Sequence, residues 1–304
     1  MRDSRKWIFR SVVALVALLV CPPPGAEVGV VVNPETTTLQ SGPYVAGIIE
    51  NADPISAMVW TRLMASSGTR VLLNEDGLTH GDGRPSVTQN PISNLPIVTW
   101  GKNNGSGFDV VESHFENGAW TTPAIIASGV TATLDPEPTI VVDRQTGTVH
   151  VVYFCDDVSP RVMHLEATAD LSSWAPAVQV SPIAEYALRP SAVVHQGTLR
   201  IAYEVHGSSV GSIPRQIAVA TSDGLGGFSY ESVTSTHFGE ANRPQLHAGM
   251  GDTLWIDWID GNNDLAWSEW NSSTSWGGVQ LESFTDPGDR DFHARSRIKQ
   301  LATQ

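Results

Sequence analysis

Three arginines stand directly before prolines: Arg84-Pro85, Arg189-Pro190 and Arg243-Pro244, at three of four nearly evenly spaced places. Glu137-Pro138 fills the remaining place in the series, with Asp135 two residues earlier. Guanidinium groups grip carboxylates in a bidentate fashion. Arginines gathered at one point therefore suit an anionic ligand. The same arginines could equally staple neighbouring repeats by pairing with Asp or Glu, and Asp82 beside Arg84 is such a partner. Carboxyl pairs support glycoside hydrolysis when about 5–5.5 Å apart for retention or about 6.5–9.5 Å for inversion. Asp135 or Glu137 facing Asp82, Glu185 or Glu240 would supply such a pair. Asp257, between Trp255 and Trp258, reads as a buried, hydrogen-bonded structural carboxylate.

Other ligand chemistry is sparse. The nine histidines show no spacing of the HExxH kind, and His114, His150 and His164 fall in different strands, so no metal site is expected. The oxygens of Asp260-Gly261-Asn262-Asn263-Asp264 suit calcium, and equally suit an ordinary hairpin turn. No other cofactor is expected. Cys21 and Cys155 are the two cysteines, which gives neither a disulfide framework nor a metal motif. Cys155 lies in a strand-like run and reads as a buried apolar filler.

The formal charge of −14, with lysine only at 6, 102 and 299, excludes a nucleic-acid binder that must neutralise phosphates. Residues 1–10 carry four basic side chains, and Ser11–Val20 is an unbroken apolar run. That run is too short to span a membrane and reads as a secretory signal peptide over residues 1–26. Secretion, or delivery to the periplasm or cell surface, is the expected destination. Leu18-Leu19-Val20 before Cys21 approaches a lipoprotein signal, but Val20 stands where a small residue is wanted. The oligomeric state is left open.

The elements that must position these side chains follow a repeat. Pro85, Pro138, Pro190 and Pro244 recur at intervals of 53, 52 and 54 residues. Each begins an apolar run, followed by a second run ending in Trp100, Tyr153, Tyr203 or Trp258. A third alternating run comes next, then a fourth near Trp120, Trp174, Phe228 or Trp276. Alternation, β-branched content and Gly/Asn/Asp punctuation make these strands. Four strands at this period describe a blade of a β-propeller. The recurrent aromatics are expected to fill the space between neighbouring blades.

Tyr44–Glu50, Ile55–Leu63 and Thr69–Asn74 form a fifth unit that lacks its first strand. One more period beyond Pro244 falls on Ser296–Leu301. The expectation is therefore an all-β, five-bladed propeller over residues 27–304, its C-terminal strand completing the first blade. Six blades is the alternative if residues 27–42 hide further strands. Arg297 would then join Arg84, Arg189 and Arg243 at the channel mouth.

Ser113–Trp120 (SHFENGAW) and Thr221–Phe228 (TSDGLGGF) resemble the Asp-box (BNR) repeats of sialidase-like propellers. Asp223 follows Thr221 by two residues as that motif wants, while Gly226 comes one position late. The resemblance implies an arginine cluster for an acidic sugar, with a Tyr nucleophile assisted by Glu. Glu185-Tyr186 is the pair that suits this role. The family's Arg-Ile-Pro motif is absent, since arginine here directly precedes proline. Asp135-Pro136 and Ala169–Trp174 (ADLSSW) also resemble five-bladed arabinanase- and xylosidase-type glycoside hydrolases, which use two Asp and a Glu. Together these features imply a propeller that binds or processes carbohydrate at its channel mouth, the sugar being acidic if the arginines converge. A lectin-like or protein-interaction scaffold without turnover is the alternative.

Overall fold

The structure is a computed structural model, and it describes residues 28–32, 44–51, 55–62, 70–73, 82–157, 159–183, 185–207, 215–234, 240–248, 253–262, 264–272 and 275–282. Those residues form five antiparallel sheets and no helix. Sheet one holds β1 (Val28–Val32), β2 (Tyr44–Asn51), β3 (Ile55–Arg62) and β4 (Arg70–Leu72) in sequence order. Sheet two runs β5 (Ser86–Gln89), β6 (Pro96–Asn103), β7 (Phe108–Glu116) and β8 (Ala119–Trp120), with β9 (Ala124–Thr131) also paired to β7. Sheet three is β10 (Thr139–Asp143), β11 (Thr148–Cys155), β12 (Arg161–Ala167) and β13 (Val178–Gln179). Sheet four is β14 (Tyr186–His195), β15 (Thr198–His206), β16 (Gln216–Ser222) and β17 (Phe228–Ser232). Sheet five is β18 (Ala241–Ala248), β19 (Leu254–Asp260), β20 (Leu265–Asn271) and β21 (Ser275–Trp276), with β22 (Gln280–Glu282) paired to β20.

The fifth unit needs a correction. Its first position, expected from Ser296–Leu301, is taken by β1, which pairs with β2 from Val28↔Glu50 to Val32↔Ala46. Residues 28–32 thus hold one strand that completes the first sheet. Ser296–Leu301, Arg297 and the N-terminal segment 1–26 lie outside the described residues.

The core is a series of interfaces between consecutive sheets. Trp100 packs with Leu73 and Val87, Tyr153 with Ile97 and Val110, Tyr203 with Val152 and Val162, and Trp258 with Ala202 and Val219. Each second-strand aromatic is therefore buried against the preceding sheet, as the repeat requires. The fourth-strand aromatics Trp120, Trp174, Phe228 and Trp276 border the same four interfaces. Cys155 is buried as expected, and burial pushes its thiol pKa up to about 11.

The first strands β5, β10, β14 and β18 stand side by side. Hydroxyls next to the repeat prolines join them: Ser86 Oγ accepts from the Ile140 amide at 3.1 Å, and Ser191 Oγ from the Leu246 amide at 3.0 Å. Proline has no N–H to give a ladder and is confined to edges and bulges. Here Arg189-Pro190 and Arg243-Pro244 sit at bulges. The register jumps from Leu188↔Glu204 to Ser191↔Ala202, and from Asn242↔Ile259 to Gln245↔Asp257.

Candidate functional site

The residue before each of three repeat prolines adopts a left-handed backbone: Glu137 (φ 44°), Arg189 (φ 51°) and Arg243 (φ 53°). A following proline disfavours the right-handed helical region, and at Arg189 and Arg243 the bulge also requires the chain to kink. A non-glycine residue there costs on the order of 1–2 kcal/mol. Three charged residues bear this strain at equivalent points, and strain of this kind clusters at functional sites. Arg84, at the fourth equivalent point, is not among the strained residues and is 48% exposed.

These side chains meet. Arg189 lies between two carboxylates, its Nη1 2.9 Å from Glu204 Oε1 and its Nε 3.7 Å from Glu137 Oε1. Arg84 reaches Glu137 at 3.9 Å. Glu204, on β15 and fully buried, also accepts from the Arg243 amide at 2.6 Å and pairs with His206 Nε2 at 2.9 Å. Burial works to raise the Glu204 pKa. His206, the Arg189 charge and the Arg243 amide outweigh it and hold the carboxyl below its ordinary value. For Arg189, the nearby Glu204 charge likewise overcomes burial and raises its pKa.

Asp135 occupies the other side of the cluster. Its carboxylate accepts from the Arg84 amide at 2.7 Å and from the Glu137 amide at 2.9 Å. Burial dominates these bonds, and the neighbouring Glu137 charge adds to it, so the carboxyl titrates at about 6. Glycines make the space. A methyl at Gly83 would collide with the Asp135 carboxylate, and one at Gly101 would come within 2.6 Å of Pro136 Cδ. Two amides pin the carboxylate, so it cannot step aside. Gly83→Ala is expected to lower stability by about 1–3 kcal/mol, the usual range for overpacking. Chemical denaturation checks this.

The other sequence candidates are placed elsewhere. Asp82 is buried and accepts from the Asn103 amide at 3.3 Å. Arg84 finds its carboxylate in Glu137 rather than in Asp82. Glu185 meets Tyr203 Oη at 3.4 Å, and burial raises its carboxyl pKa. Tyr203 packs towards sheet three while Glu204 bonds sheet five, so Glu185 and Glu204 serve opposite faces of sheet four. Among the described residues no hydrogen bond or ion pair links Glu185 or Tyr186 to Asp135 or Glu137. Glu240 pairs with Arg215 at 3.4 Å. Asp257 is buried against His247 at 2.9 Å, as its structural reading implies. Asp260 spends its Oδ1 on the Asn262 and Asp264 amides, as a hairpin turn does. Asp223 Oδ1 likewise accepts from Leu225 and Gly227. Glu204 and His206 are the members of the cluster that sequence reasoning missed. Their signal was a charged residue directly after Tyr203, alternating to the opposite face of the strand.

No protein-family profile matches the chain, and neither does any curated protein sequence. Solved structures do match. A protein of unknown function from Dyadobacter fermentans aligns over 88% of this chain and 85% of its own, at 13% identity and a TM-score of 0.63. A variant lectin of Aleuria aurantia bound to α-methyl-L-fucoside aligns over 87% and 80%, at 16% identity and a TM-score of 0.55. The catalytic domain of an α-L-arabinofuranosidase from Coprinopsis cinerea aligns over 79% and 86%, at 14% identity and a TM-score of 0.46. The fold is of the β-propeller type. Among the described residues no helix is long and apolar enough to cross a membrane.

Proposed function

We propose that the chain is an exported five-bladed propeller that binds a carboxylate-bearing carbohydrate at the charged cluster where its first strands meet. The observation that carries this is Arg243. Among the described residues its guanidinium has no hydrogen-bond or ion-pair partner, and only its backbone amide is engaged. Burial lowers its pKa, and the charges of Arg84 and Arg189 lower it further, more than the carboxylates of Glu137 and Glu204 raise it. Like charges held together in a half-buried place repel, and an anionic ligand would offset that repulsion. Arg189 is already held by Glu137 and Glu204. Stapling and ligand binding thus fall to different arginines of one series. The structural kinship with a fucoside-binding lectin supports a carbohydrate in this role.

Titration calorimetry with acidic and neutral oligosaccharides tests the proposal. Arg243→Ala should weaken an acidic ligand by at least ~10-fold, the loss of one charge-assisted contact, with an unchanged melting temperature. Arg189→Ala should lower the melting temperature. Equal binding of neutral and acidic sugars, or full binding by the Arg243 variant, would sink it.

One observation favours turnover as a second reading. A carboxyl titrating near 6 suits general acid–base work at neutral pH, and Asp135 is such a group. A mass-spectrometric time course on the same sugars separates the two. A product that disappears in Asp135→Asn indicates hydrolysis, and no product from any sugar leaves binding.

A further inference from the structure

A second group of ligand-type side chains lies on sheet three, away from the charged cluster. On β11 and β12, His150 stands opposite Glu166 and Val152 opposite His164. Strand alternation puts all four on one face. That face meets sheet four, where Val152 and Val162 join its core and His164 approaches the Phe228 ring edge-on at 6.0 Å. The opposite end of β11 is tied to Pro136 through the Phe154 amide. Four residues of strand separate that amide from His150, roughly 13 Å.

His150 Nδ1 and His164 Nε2 are 3.0 Å apart. One ring nitrogen of each histidine and a Glu166 carboxylate oxygen all lie within 4.8 Å of one another. We propose that His150, His164 and Glu166 form a binding site for a divalent transition metal of the zinc class. Bonds of about 2.0–2.2 Å in tetrahedral geometry place ligand atoms about 3.3–3.5 Å apart. The imidazole nitrogens are already that close. Glu166 is exposed, so its side chain can turn inward to close the remaining gap. Two imidazoles and a carboxylate form a donor set that zinc takes when it keeps a further position for water. Only one ring donates in the His150–His164 hydrogen bond, and that ring must carry its proton on its other nitrogen to bind metal. No residue of the charged cluster takes part, so this site is independent of the carbohydrate proposal.

The test uses the full, untagged chain, stripped with a chelator and dialysed against Zn²⁺, with bound metal counted by emission spectroscopy. One equivalent is expected. Co²⁺ in its place should give the visible absorption bands of a four-coordinate ion. His150→Gln should abolish retention, and Glu166→Gln should weaken affinity by about 10-fold or more. The exposed Glu166 variant keeps the test valid even where a histidine variant fails to fold, with far-ultraviolet circular dichroism reporting the fold. No retained zinc in the parent chain, or undiminished zinc in the Glu166 and His150 variants, would overturn the proposal.

Discussion

Glu204→Ala should destabilise the protein by about 3–5 kcal/mol, the cost of breaking a buried charge pair from one side. The carboxylate is fully buried, and Arg189, His206 and the Arg243 amide all depend on it. Its removal takes the nearer of two carboxylates from the Arg189 guanidinium and leaves the Arg243 amide without its acceptor. Glu204→Gln keeps the shape but loses the charge, and should fall between the two. The pH dependence has a definite sign. The folded-state pKa lies below the ordinary value of 4.5. The folded protein therefore gives up this proton more readily than the unfolded chain does. The stabilisation is complete above about pH 4.5 and drains away as pH falls through the folded value. Urea denaturation between pH 3 and 7 should show this acid limb in the parent and a flatter one in Glu204→Gln. Parallel curves would remove Glu204 from its place as the hub.

Trp258→Ala should cost a similar amount, about 3–5 kcal/mol. Trp258 is 1% exposed and fills the interface between sheets four and five, beside Ala202 and Val219. It also lies opposite the Arg243-Pro244 bulge. Losing it would open a cavity and loosen the backbone that holds Arg243. Its indole N–H is buried with no acceptor among the described residues, and an orphaned donor costs about 1–3 kcal/mol. Trp258→Phe removes that donor with less volume than alanine does, and should cost clearly less than Trp258→Ala. Thermal denaturation of both variants decides. Equal losses would show that the N–H has a partner after all.

The repeat made most of the fold readable. Proline, an apolar run and a closing aromatic recur closely enough to place β5, β10, β14 and β18 and the strands beside them. It failed where that punctuation is missing. Val28–Val32 has Glu27 rather than a proline directly before it and a glycine inside it, so period arithmetic pointed to the far end of the chain instead. At the site, sequence located Asp135, Glu137, Arg189 and Arg243, because position in the repeat fixes position in the cluster. It could not rank the arginines. That depends on which carboxylate Arg189 captures, and Glu204 lies on a different strand, fifteen residues on. Nor does sequence reveal a left-handed backbone, which at Arg189 and Arg243 accompanies a bulge rather than a residue type that favours it.

The serial layout of the core also bears on how the molecule opens. Among the described residues each hydrophobic interface joins one sheet to the next, so loosening can advance a sheet at a time. The ionic cluster cuts across that order. Arg84 comes from sheet two, Asp135 and Glu137 from sheet three, Arg189 and Glu204 from sheet four, and Arg243 from sheet five. A ligand seated there would touch several sheets at once and turn stepwise fraying into a single concerted event. Amide hydrogen exchange would then slow across distant strands together, including strands that the ligand never contacts.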